Sequence, residues 1–334
     1  MVTIKDVAKA ANVSNMTVSR AFKEDSSIKP ETRERILSIA KQMNYLPNYN
    51  AKGLVMNQQF SVGLFFSSMI GTSKVFLGDL VNEVYQLLPK NYLLSVNSID
   101  QFQQEEARQH LQSLLGRFDG IIIATQSEAD DPFIEWVAAL NIPLVVMNRK
   151  LTSEELYNVY SDERQGIDEL VTHLAERSIK TAGSIKGIPG FYSTEYRFNK
   201  FLERCQEEGI NLLPDAIEIG EYTLDSGYQA MQKILENTDE LPEVIFCGND
   251  DMAFGAIKAC YNNKIEVPRD VSIVGFDNTT YARYSTPALT TIDKPYKTMA
   301  KQAMTILKQL IDAQQPSQHT YCFPSTLIIR NSVK

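Results

Sequence analysis

Two hydrophobic patterns divide the chain near residue 47, and the first is helical throughout. Apolar residues recur at i, i+3, i+4 and i+7 in the stripe Ile4, Val7, Ala8 and Ala11. This stripe predicts a helix that Thr3 caps, with Asp6 three residues later completing the first turn. A second helix is predicted from about Asn15 to Phe22. A third is predicted from Pro30, since proline suits the first helical position.

The tripeptide Asn12-Val13-Ser14 separates the first two predicted helices. Asparagine tolerates the left-handed conformation that a tight turn needs, and Ser14 can cap the helix that follows. Two helices joined by a three-residue turn, with a third packed across them, form a helix-turn-helix module. Periodicity alone also permits a small helical lid or a dimerisation bundle.

Charge favours the DNA-binding interpretation. Residues 1–59 contain nine Lys/Arg and five Asp/Glu, so the remainder of the 33 basic and 41 acidic residues gives 24 against 36. A basic head on an acidic body indicates that only the head meets a polyanion. The second helix also exposes small hydrogen-bonding groups and one guanidinium, as base-edge readout in a major groove requires: Asn15, Met16, Thr17, Ser19 and Arg20.

From residue 60 onward, short β-rich runs alternate with helical segments. Ten strands are predicted at SVGLFFS, LLSVNSI, DGIIIAT, IPLVVMN, YNVYSD, TAGSIKG, AIEIGEY, EVIFCGN, VSIVGFD and LTTID. Runs such as IIIA are apolar on consecutive residues, which indicates parallel strands buried on both faces. Two sets of five strands predict two similar doubly wound subdomains. A helix from about Tyr296 to Ala313 and a strand near Ser325 to Arg330 are predicted to follow.

The head and the segment after it resemble one known family. TIKDVAKAANVSNMTVSRAF, TRERI and NYLPNYNAKGL are similar to the DNA-binding head and hinge of the LacI/GalR family of bacterial transcription regulators. VPRDVSIVGFDN, GNDDMAFGA, PALTTID and STLIIRNS continue the resemblance to the end of the chain. Departures are Asn12, where the turn usually has glycine, the uncommon pair Asn15-Met16, and Ser178-Ile179 in place of Gly-His.

The resemblance implies an N-terminal all-α helix-turn-helix head and a periplasmic-binding-protein-like α/β body of two doubly wound parallel-sheet subdomains. The implied divisions are a DNA-binding domain at 1–46, a hinge at 47–58, and an effector-binding and dimerisation domain at 59–334. Within the body, the N-subdomain comprises about 59–160 and 293–322, and the C-subdomain about 161–292 and 323–334.

The family pattern also assigns DNA contacts. Positions matching Asn15, Met16 and Arg20 contact base edges in the family, while others hold phosphates. The full DNA-binding set is Thr3, Ser14, Asn15, Met16, Thr17, Ser19, Arg20, Asn48, Ala51 and Leu54. By the resemblance, Asn48 begins a short helix in the minor groove, and Leu54 is an apolar wedge at the central base step. Gly53 weakens that helix by roughly 1 kcal/mol relative to alanine.

In the body, a cleft between two lobes at the carboxyl ends of their strands is expected to hold a small ligand. The family's ligand positions correspond to Ser68, Phe76, Asn148, Tyr192, Arg197, Asn249 and Asp277. Planar hydrogen-bonding groups with the nearby aromatic residues Tyr192, Tyr196 and Phe198 indicate a sugar. Asn148 stands where the family often has aspartate.

Structural roles remain open for several of these residues. Phe76 could be a core residue, Asp277 could cap a turn, and Arg197 could pair with Glu195 or another surface acid. Asn249 and Asp250 could both cap the helix that begins near Met252, and capping is the preferred interpretation for Asp250.

The sequence gives no basis for catalysis, a cofactor or a metal site. No glycine-rich fingerprint opens a helix, and no Walker motif occurs. The acid pairs 130–131 and 250–251 are typical of turns and caps, and the histidines, His110, His173 and His319, are too scattered for a triad. The cysteines, Cys205, Cys247, Cys260 and Cys322, have no metal-site spacing and are expected to be reduced thiols, mostly buried.

A homodimeric cytoplasmic transcription regulator, most simply a repressor of carbohydrate-utilisation genes, is therefore expected. Its partners would be a pseudo-palindromic DNA operator and a sugar or sugar-phosphate effector, with no membrane. Neither a signal peptide nor a bilayer-spanning segment is recognisable, which argues against a secreted sugar receptor. No leucine heptad follows Arg330. A two-lobed sugar-binding module without operator function, and a regulator using a purine or a phosphoprotein corepressor, remain open. So do the identity of the effector and the sign of its effect.

Overall fold

A computed structural model describes residues 2–22, 28–45, 58–67, 74–102 and 114–334. The chain forms two compact units. We call residues 1–59 the head and residues 60–334 the body, and describe each by itself. Within the described residues, no helix is both long and apolar enough to cross a bilayer.

The head consists of three helices. They are α1 (Ile4–Ala10), α2 (Asn15–Ala21) and α3 (Pro30–Gln42). Their apolar faces meet in a core formed by Val7, Ala8, Ala11, Val18, Ala21, Ile36 and Ala40. Asn12 has φ 52°, so the left-handed turn predicted between α1 and α2 is present. Phe22, the last residue of the predicted second helix, is 36% exposed at the end of α2, where its ring meets Tyr45 edge-on.

The first sheet of the body is parallel, with helices on both faces. Along the chain, its elements are β1 (Ser61–Phe66), α4 (Lys74–Leu87), β2 (Leu93–Ser98), β3 (Gly120–Ala124), α5 (Asp131–Ala139), β4 (Leu144–Met147) and β5 (Tyr157–Asp162). Two later elements return to this sheet, α10 (Tyr296–Ile311) and β11 (Thr320–Pro324). The strand order is β11-β5-β4-β3-β1-β2. We call this half the N-lobe.

The second sheet forms the C-lobe. Its elements are α6 (Arg164–Glu176), β6 (Thr181–Lys186), α7 (Tyr192–Glu207), β7 (Asn211–Ile219), α8 (Leu224–Asn237), β8 (Val244–Cys247), α9 (Asp250–Asn262), β9 (Ser272–Asp277), β10 (Thr290–Asp293) and β12 (Thr326–Ile328). The strand order is β12-β10-β9-β8-β6-β7. Strand β8 is buried along its whole length, as its uninterrupted apolar run predicted, and β9 is buried throughout although it includes Ser272 and Asp277.

The expected two sets of five strands are in fact two sheets of six among the described residues. Strand β11 was not predicted, because it is an edge strand whose burial alternates and whose sequence, TYCFP, ends in proline. Strand β7 begins at Asn211, five residues before the predicted run, and contains Pro214. An edge position tolerates this proline because one side of the strand has no ladder partner. The last strand, β12, pairs antiparallel with β10.

The chain crosses between the lobes three times: after β5, after β10, and between β11 and β12. Parallel strands bring the carboxyl ends of β1, β3 and β4 to one edge of the N-lobe sheet. The ends of β6, β8 and β9 lie at the corresponding edge of the C-lobe sheet. Side chains just beyond these strands line the cavity described below.

Candidate functional site

Helix α2 carries most of the predicted DNA-reading positions of the head. Asn15, Met16, Ser19 and Arg20 are exposed, and Met16 is 64% accessible although it is apolar. Val18 and Ala21, on the opposite face, are buried in the head core. The helix therefore presents one polar surface with a single large apolar side chain.

Two predicted DNA contacts also have local structural roles. The Ser14 hydroxyl accepts from the backbone N–H of Thr17 at 3.1 Å and lies 2.9 Å from the Thr17 hydroxyl, which fixes the start of α2. At α1, the Asp6 carboxylate accepts from the backbone N–H of Thr3 at 2.8 Å and from its hydroxyl at 2.7 Å. These hydrogen bonds lower the pKa of Asp6. The three remaining positions, Asn48, Ala51 and Leu54, lie outside the described residues, as does Ser68 of the effector set.

In the body, a cavity with an empty volume of about 500 Å³, counted to its open mouth, lies between the two lobes. The lining residues are Phe66, Ser67, Phe76, Ala124, Gln126, Asn148, Phe191, Ser193, Arg197, Tyr222, Asn249, Asp277 and Tyr296. The structure thus brings together five of the seven predicted effector positions.

The backbone directs two of these side chains at the end of their strands. Asn148 follows β4 with φ 89°, and Asp277 ends β9 with φ 106°. Positive φ is uncommon outside glycine, although Asn and Asp adopt it more readily than other residues. Asn148 Oδ1 is buried in the cavity wall and accepts no hydrogen bond in the described part of the chain. Gln126 Oε1 has the same environment.

Arg197 forms a buried ion pair that the sequence did not predict. Its Nε and Nη2 each donate to Glu163 at 2.8 Å, and Nη1 donates to the Gly248 carbonyl at 2.6 Å. Glu163 Oε1 is also 2.9 Å from the fully buried Lys294 Nζ. Arg197 Nη2 lies 3.9 Å from Asp277 Oδ1. Arg197 therefore neither pairs with Glu195 nor lies on the surface.

The charges in this cluster cancel, and their pKa shifts follow from burial and pairing. Burial alone would raise the pKa of Glu163, but Arg197 and Lys294 hold it at about 2. Burial lowers the pKa of Lys294, although Glu163 opposes this. Asp277 is less well compensated, and burial raises its pKa to about 6 against the opposing charge of Arg197. Two cations thus face two acids, without a surplus of either sign.

Asn249 and Asp250 follow β8, and the sequence left open whether each of them caps the next helix. Asn249 caps α9, since its Oδ1 accepts from the Met252 N–H at 2.9 Å, and it also lines the cavity. Asp250 is not a cap, contrary to the preferred interpretation. Its carboxylate accepts from the Thr279 N–H and hydroxyl and from the Thr291 hydroxyl. Burial, with a contribution from the charge of Asp277, raises the pKa of Asp250 to about 8.

Tyr192 is not among the residues that line the cavity. Helix periodicity gives the reason, because Ser193 and Arg197, four residues apart on α7, face the cavity, while Tyr192 and Tyr196 face away. Tyr192 is 37% exposed and stacks on Tyr196 with their centroids 5.5 Å apart. Phe198, the third expected aromatic residue, instead lies under the Lys186 ammonium at 4.6 Å.

Other aromatic residues form the cavity wall: Phe66, Phe76, Phe191, Tyr222 and Tyr296. Phe76 belongs to both alternatives, since it packs in the N-lobe core and lines the cavity. Its ring lies 4.3 Å from that of Tyr296, whose hydroxyl is 3.0 Å from Asp277 Oδ1. The sequence analysis did not identify Gln126, although its position just after β3, like that of Asn249 just after β8, is a signal that could have found it.

Comparisons with known proteins agree with this architecture. Residues 3–48 match the model of bacterial regulatory proteins of the lacI family, and residues 171–333 match a periplasmic binding protein-like domain. The chain is 36% identical over 335 residues to a probable HTH-type transcriptional repressor, ExuR, of Bacillus subtilis (strain 168), covering 100% of this chain and 99% of that one. It is 30% identical over 336 residues to the HTH-type transcriptional repressor PurR of Pasteurella multocida (strain Pm70), with the same coverage.

Solved structures share the fold over nearly the whole length. The Lac repressor dimer bound to operator and the anti-inducer ONPF gives a TM-score of 0.80 at 24% identity, covering 99% of this chain and 98% of that one. The transcriptional regulator CelR in complex with cellobiose gives a TM-score of 0.71 at 22% identity, covering 99% of this chain and 100% of that one. With relatives at 30% identity or more over their full length, the chain belongs to the lacI family of bacterial regulatory proteins.

Proposed function

We propose that this protein is a homodimeric transcriptional repressor whose affinity for operator DNA is set by a sugar bound between its lobes. The observation that carries the effector assignment is a pair of buried amide oxygens in the cavity wall, Asn148 Oδ1 and Gln126 Oε1, for which the described residues provide no hydrogen-bond donor. A buried acceptor without a donor costs about 1–3 kcal/mol. Sugar hydroxyls would satisfy both oxygens.

The aromatic wall supports the same ligand class. Rings such as Phe76 and Tyr296 offer flat apolar surfaces to the faces of a sugar ring, while Arg197 and Asp277 offer polar groups at its edge. CelR, a structural relative, is known with cellobiose. Because the cavity's charges cancel, we expect an uncharged sugar to bind more tightly than its phosphate ester.

Operator binding is assigned to the exposed face of α2. A single helix of this kind reads only a few base pairs, so two heads related by a dyad are needed for operator-level specificity. The Lac repressor, which shares the fold, is a dimer on its operator. The family membership and the exposed Asn15, Met16 and Arg20 together support the proposal.

The DNA assignment is tested by comparing two arginine substitutions that change charge equally. Arg20→Ala removes the guanidinium of α2, whereas Arg269→Ala removes an exposed body guanidinium that pairs with Glu266 and Asp270. Operator fragments selected from random duplexes by the purified protein serve as ligands, with fluorescence anisotropy near 0.15 M salt as the readout. Arg20→Ala should weaken specific binding at least tenfold, as expected for the loss of one base contact. Equal losses in the two variants would refute a base-reading role.

The effector assignment is tested by calorimetry of the full chain. Probes are D-glucose, cellobiose, D-galacturonate, D-glucose 6-phosphate and a purine base. Binding of a sugar that is lost in Asn148→Ala supports the proposal. If none of the sugars binds and a purine does, the ligand class is wrong.

A further inference from the structure

The two lobes are joined across the cavity by a backbone contact. The Tyr192 N–H of the C-lobe donates to the Gln126 carbonyl of the N-lobe at 3.0 Å. Beside this bond, Ser127 and Phe191 form an isolated antiparallel β-bridge. Gln126 and Phe191 both line the cavity, so the bridge lies at its edge. We call this contact the 126–192 bridge.

The C-lobe side of the bridge is held rigidly. The Thr194 N–H donates to the Phe191 carbonyl at 3.0 Å, which begins α7. The Thr194 and Ser193 hydroxyls lie 2.6 and 3.2 Å from the buried Tyr222 hydroxyl. These bonds fix the direction of the Tyr192 N–H, which points away from the helix because first-turn donors have no intrahelical acceptor.

The N-lobe side is equally well braced. The Thr125 N–H donates to the Met147 carbonyl at 3.1 Å, and the Ser127 N–H donates to the Thr125 hydroxyl at 3.0 Å. The Thr125 hydroxyl also lies 2.8 Å from that of Ser67. Two preorganised turns therefore meet at this short bridge, so separating the lobes here breaks its hydrogen bonding without unfolding either turn.

Gln126 connects the bridge to the cavity contents. Its carbonyl accepts from the opposite lobe, while its side-chain Oε1 is buried in the cavity wall without a donor in the described part of the chain. A ligand hydroxyl bound to Oε1 would hold the same residue whose backbone closes the cleft. Gln126 has no counterpart among the positions assigned from the family pattern.

We propose that the 126–192 bridge is the latch of the effector cleft, and that the Gln126 side chain contacts the effector and stabilises the closed latch. This inference rests on the proposed function, because it assumes that the effector occupies the cavity. Effector entry and release then require the bridge to open. Breaking the bridge favours the open cleft.

Tyr192 permits a clean test because proline is acceptable there. Tyr192→Pro removes the N–H at the first position of α7, where proline is favoured. The preceding residue, Phe191, has φ −80° and ψ 132°, which is compatible with a following proline. Tyr192→Ala is the matched reference, since it loses the same exposed ring but keeps the N–H.

The first readout needs no ligand. Hydrogen–deuterium exchange of the full-length protein should be faster in segments 120–131 and 185–200 of Tyr192→Pro than of Tyr192→Ala, by about three- to tenfold, as expected for the loss of one hydrogen bond. Equal melting temperatures would show that the proline variant is folded. Equal exchange in two folded variants would overturn the latch. If Tyr192→Pro fails to fold, exchange of the wild-type protein is measured in urea at matched pH instead. Segments 120–131 and 185–200 should then exchange faster together, and failure of the two segments to open together would overturn the latch.

The second readout uses the sugar probes named above, with calorimetry of any that binds wild-type protein. Tyr192→Pro should bind it about three- to tenfold more weakly than Tyr192→Ala. Gln126→Ala should weaken binding similarly while keeping the backbone bond, and unchanged affinity in Gln126→Ala would overturn the side-chain contact. Failure of every probe with wild-type protein would count against the sugar effector, whereas the exchange comparison would still decide whether the latch exists.

Discussion

Glu163 is the carboxylate that pairs with two buried cations of the body, Arg197 and Lys294. It lies in the first crossover between the lobes, directly after β5, and it pairs with Arg197 of α7 and with Lys294 of the second crossover. Both cations are almost completely buried. A carboxylate that joins two crossovers and orients Arg197 links the cavity wall to the segments about which the lobes can move.

Removing the Glu163 charge should be costly, and removing Lys294 as well should be less so. Glu163→Gln leaves two buried cations facing Asp277 alone, which we expect to lower the free energy of unfolding by about 3 kcal/mol. In Glu163→Gln/Lys294→Met, the remaining charges balance again. The double variant should therefore be more stable than Glu163→Gln in urea unfolding. Strictly additive losses would contradict this coupling.

Asp250 should give the body a pH-dependent stability. Its pKa is raised from about 3.8 to about 8 by burial, so the folded state binds the proton more tightly than the unfolded state. Stability associated with this group is thus fully present below the unfolded pKa and is lost as pH rises towards 8, with a slope of at most about 1.4 kcal/mol per pH unit.

Asp250→Asn should flatten that dependence. The amide oxygen can still accept from the Thr279 N–H, and the amide nitrogen can donate to the Thr291 hydroxyl. Between pH 5 and 8, the free energy of unfolding should fall less in the variant than in the wild type, as measured by urea titration at several pH values. Parallel profiles would show that Asp250 is ionised throughout this range.

At the scale of elements, the crossing of α8 and α9 depends on glycine. A Cβ on Gly255 would overlap the Leu224 carbonyl and lie 2.5 Å from the Tyr228 amide nitrogen. A Cβ on Gly227 would collide with the backbone of Met252. The two helices thus approach with backbone against backbone, and this contact places the start of α9, including Asn249, at the cavity.

Gly255→Ala and Gly78→Ala should have opposite effects. Gly255→Ala forces a backbone clash, so we expect it to lower the free energy of unfolding by about 2 kcal/mol or more. Gly78 is an exposed position of α4 with open space around it, and alanine there should stabilise by up to about 1 kcal/mol through helix propensity. Thermal unfolding of both variants checks the pair. A neutral Gly255→Ala would mean that α8 and α9 can separate easily.

For the whole molecule, effector and operator binding should be coupled reciprocally. If the effector changes operator affinity by some factor, operator must change effector affinity by the same factor, because both paths join the same states. Anisotropy with and without sugar, and calorimetry with and without operator, measure the two factors independently. Unequal factors would indicate a change of oligomeric state or a second binding site.

Local patterns were sufficient for most of the elements. Helical spacing identified α1 to α3, and continuous apolar runs identified the central strands, whereas Asn249 and Asp277 were assigned from the resemblance to the family. Each signal arises from neighbours within one element, where periodicity reports burial. The edge strand β11 was missed because its pattern is weak. The hinge contacts at Asn48, Ala51 and Leu54 stay predictions.

The sequence by itself determined the order of elements, the basic head and the residues at the strand ends. Only the tertiary structure decided which partners those residues find. Glu163 and Arg197 are 34 positions apart, and Glu163 and Lys294 are 131 apart, so no local pattern could join them. The same holds for Tyr192, which helix rotation takes out of the cavity while its backbone N–H joins the lobes. Pairing across a cleft depends on how two sheets are oriented, and that orientation is a property of the packed whole.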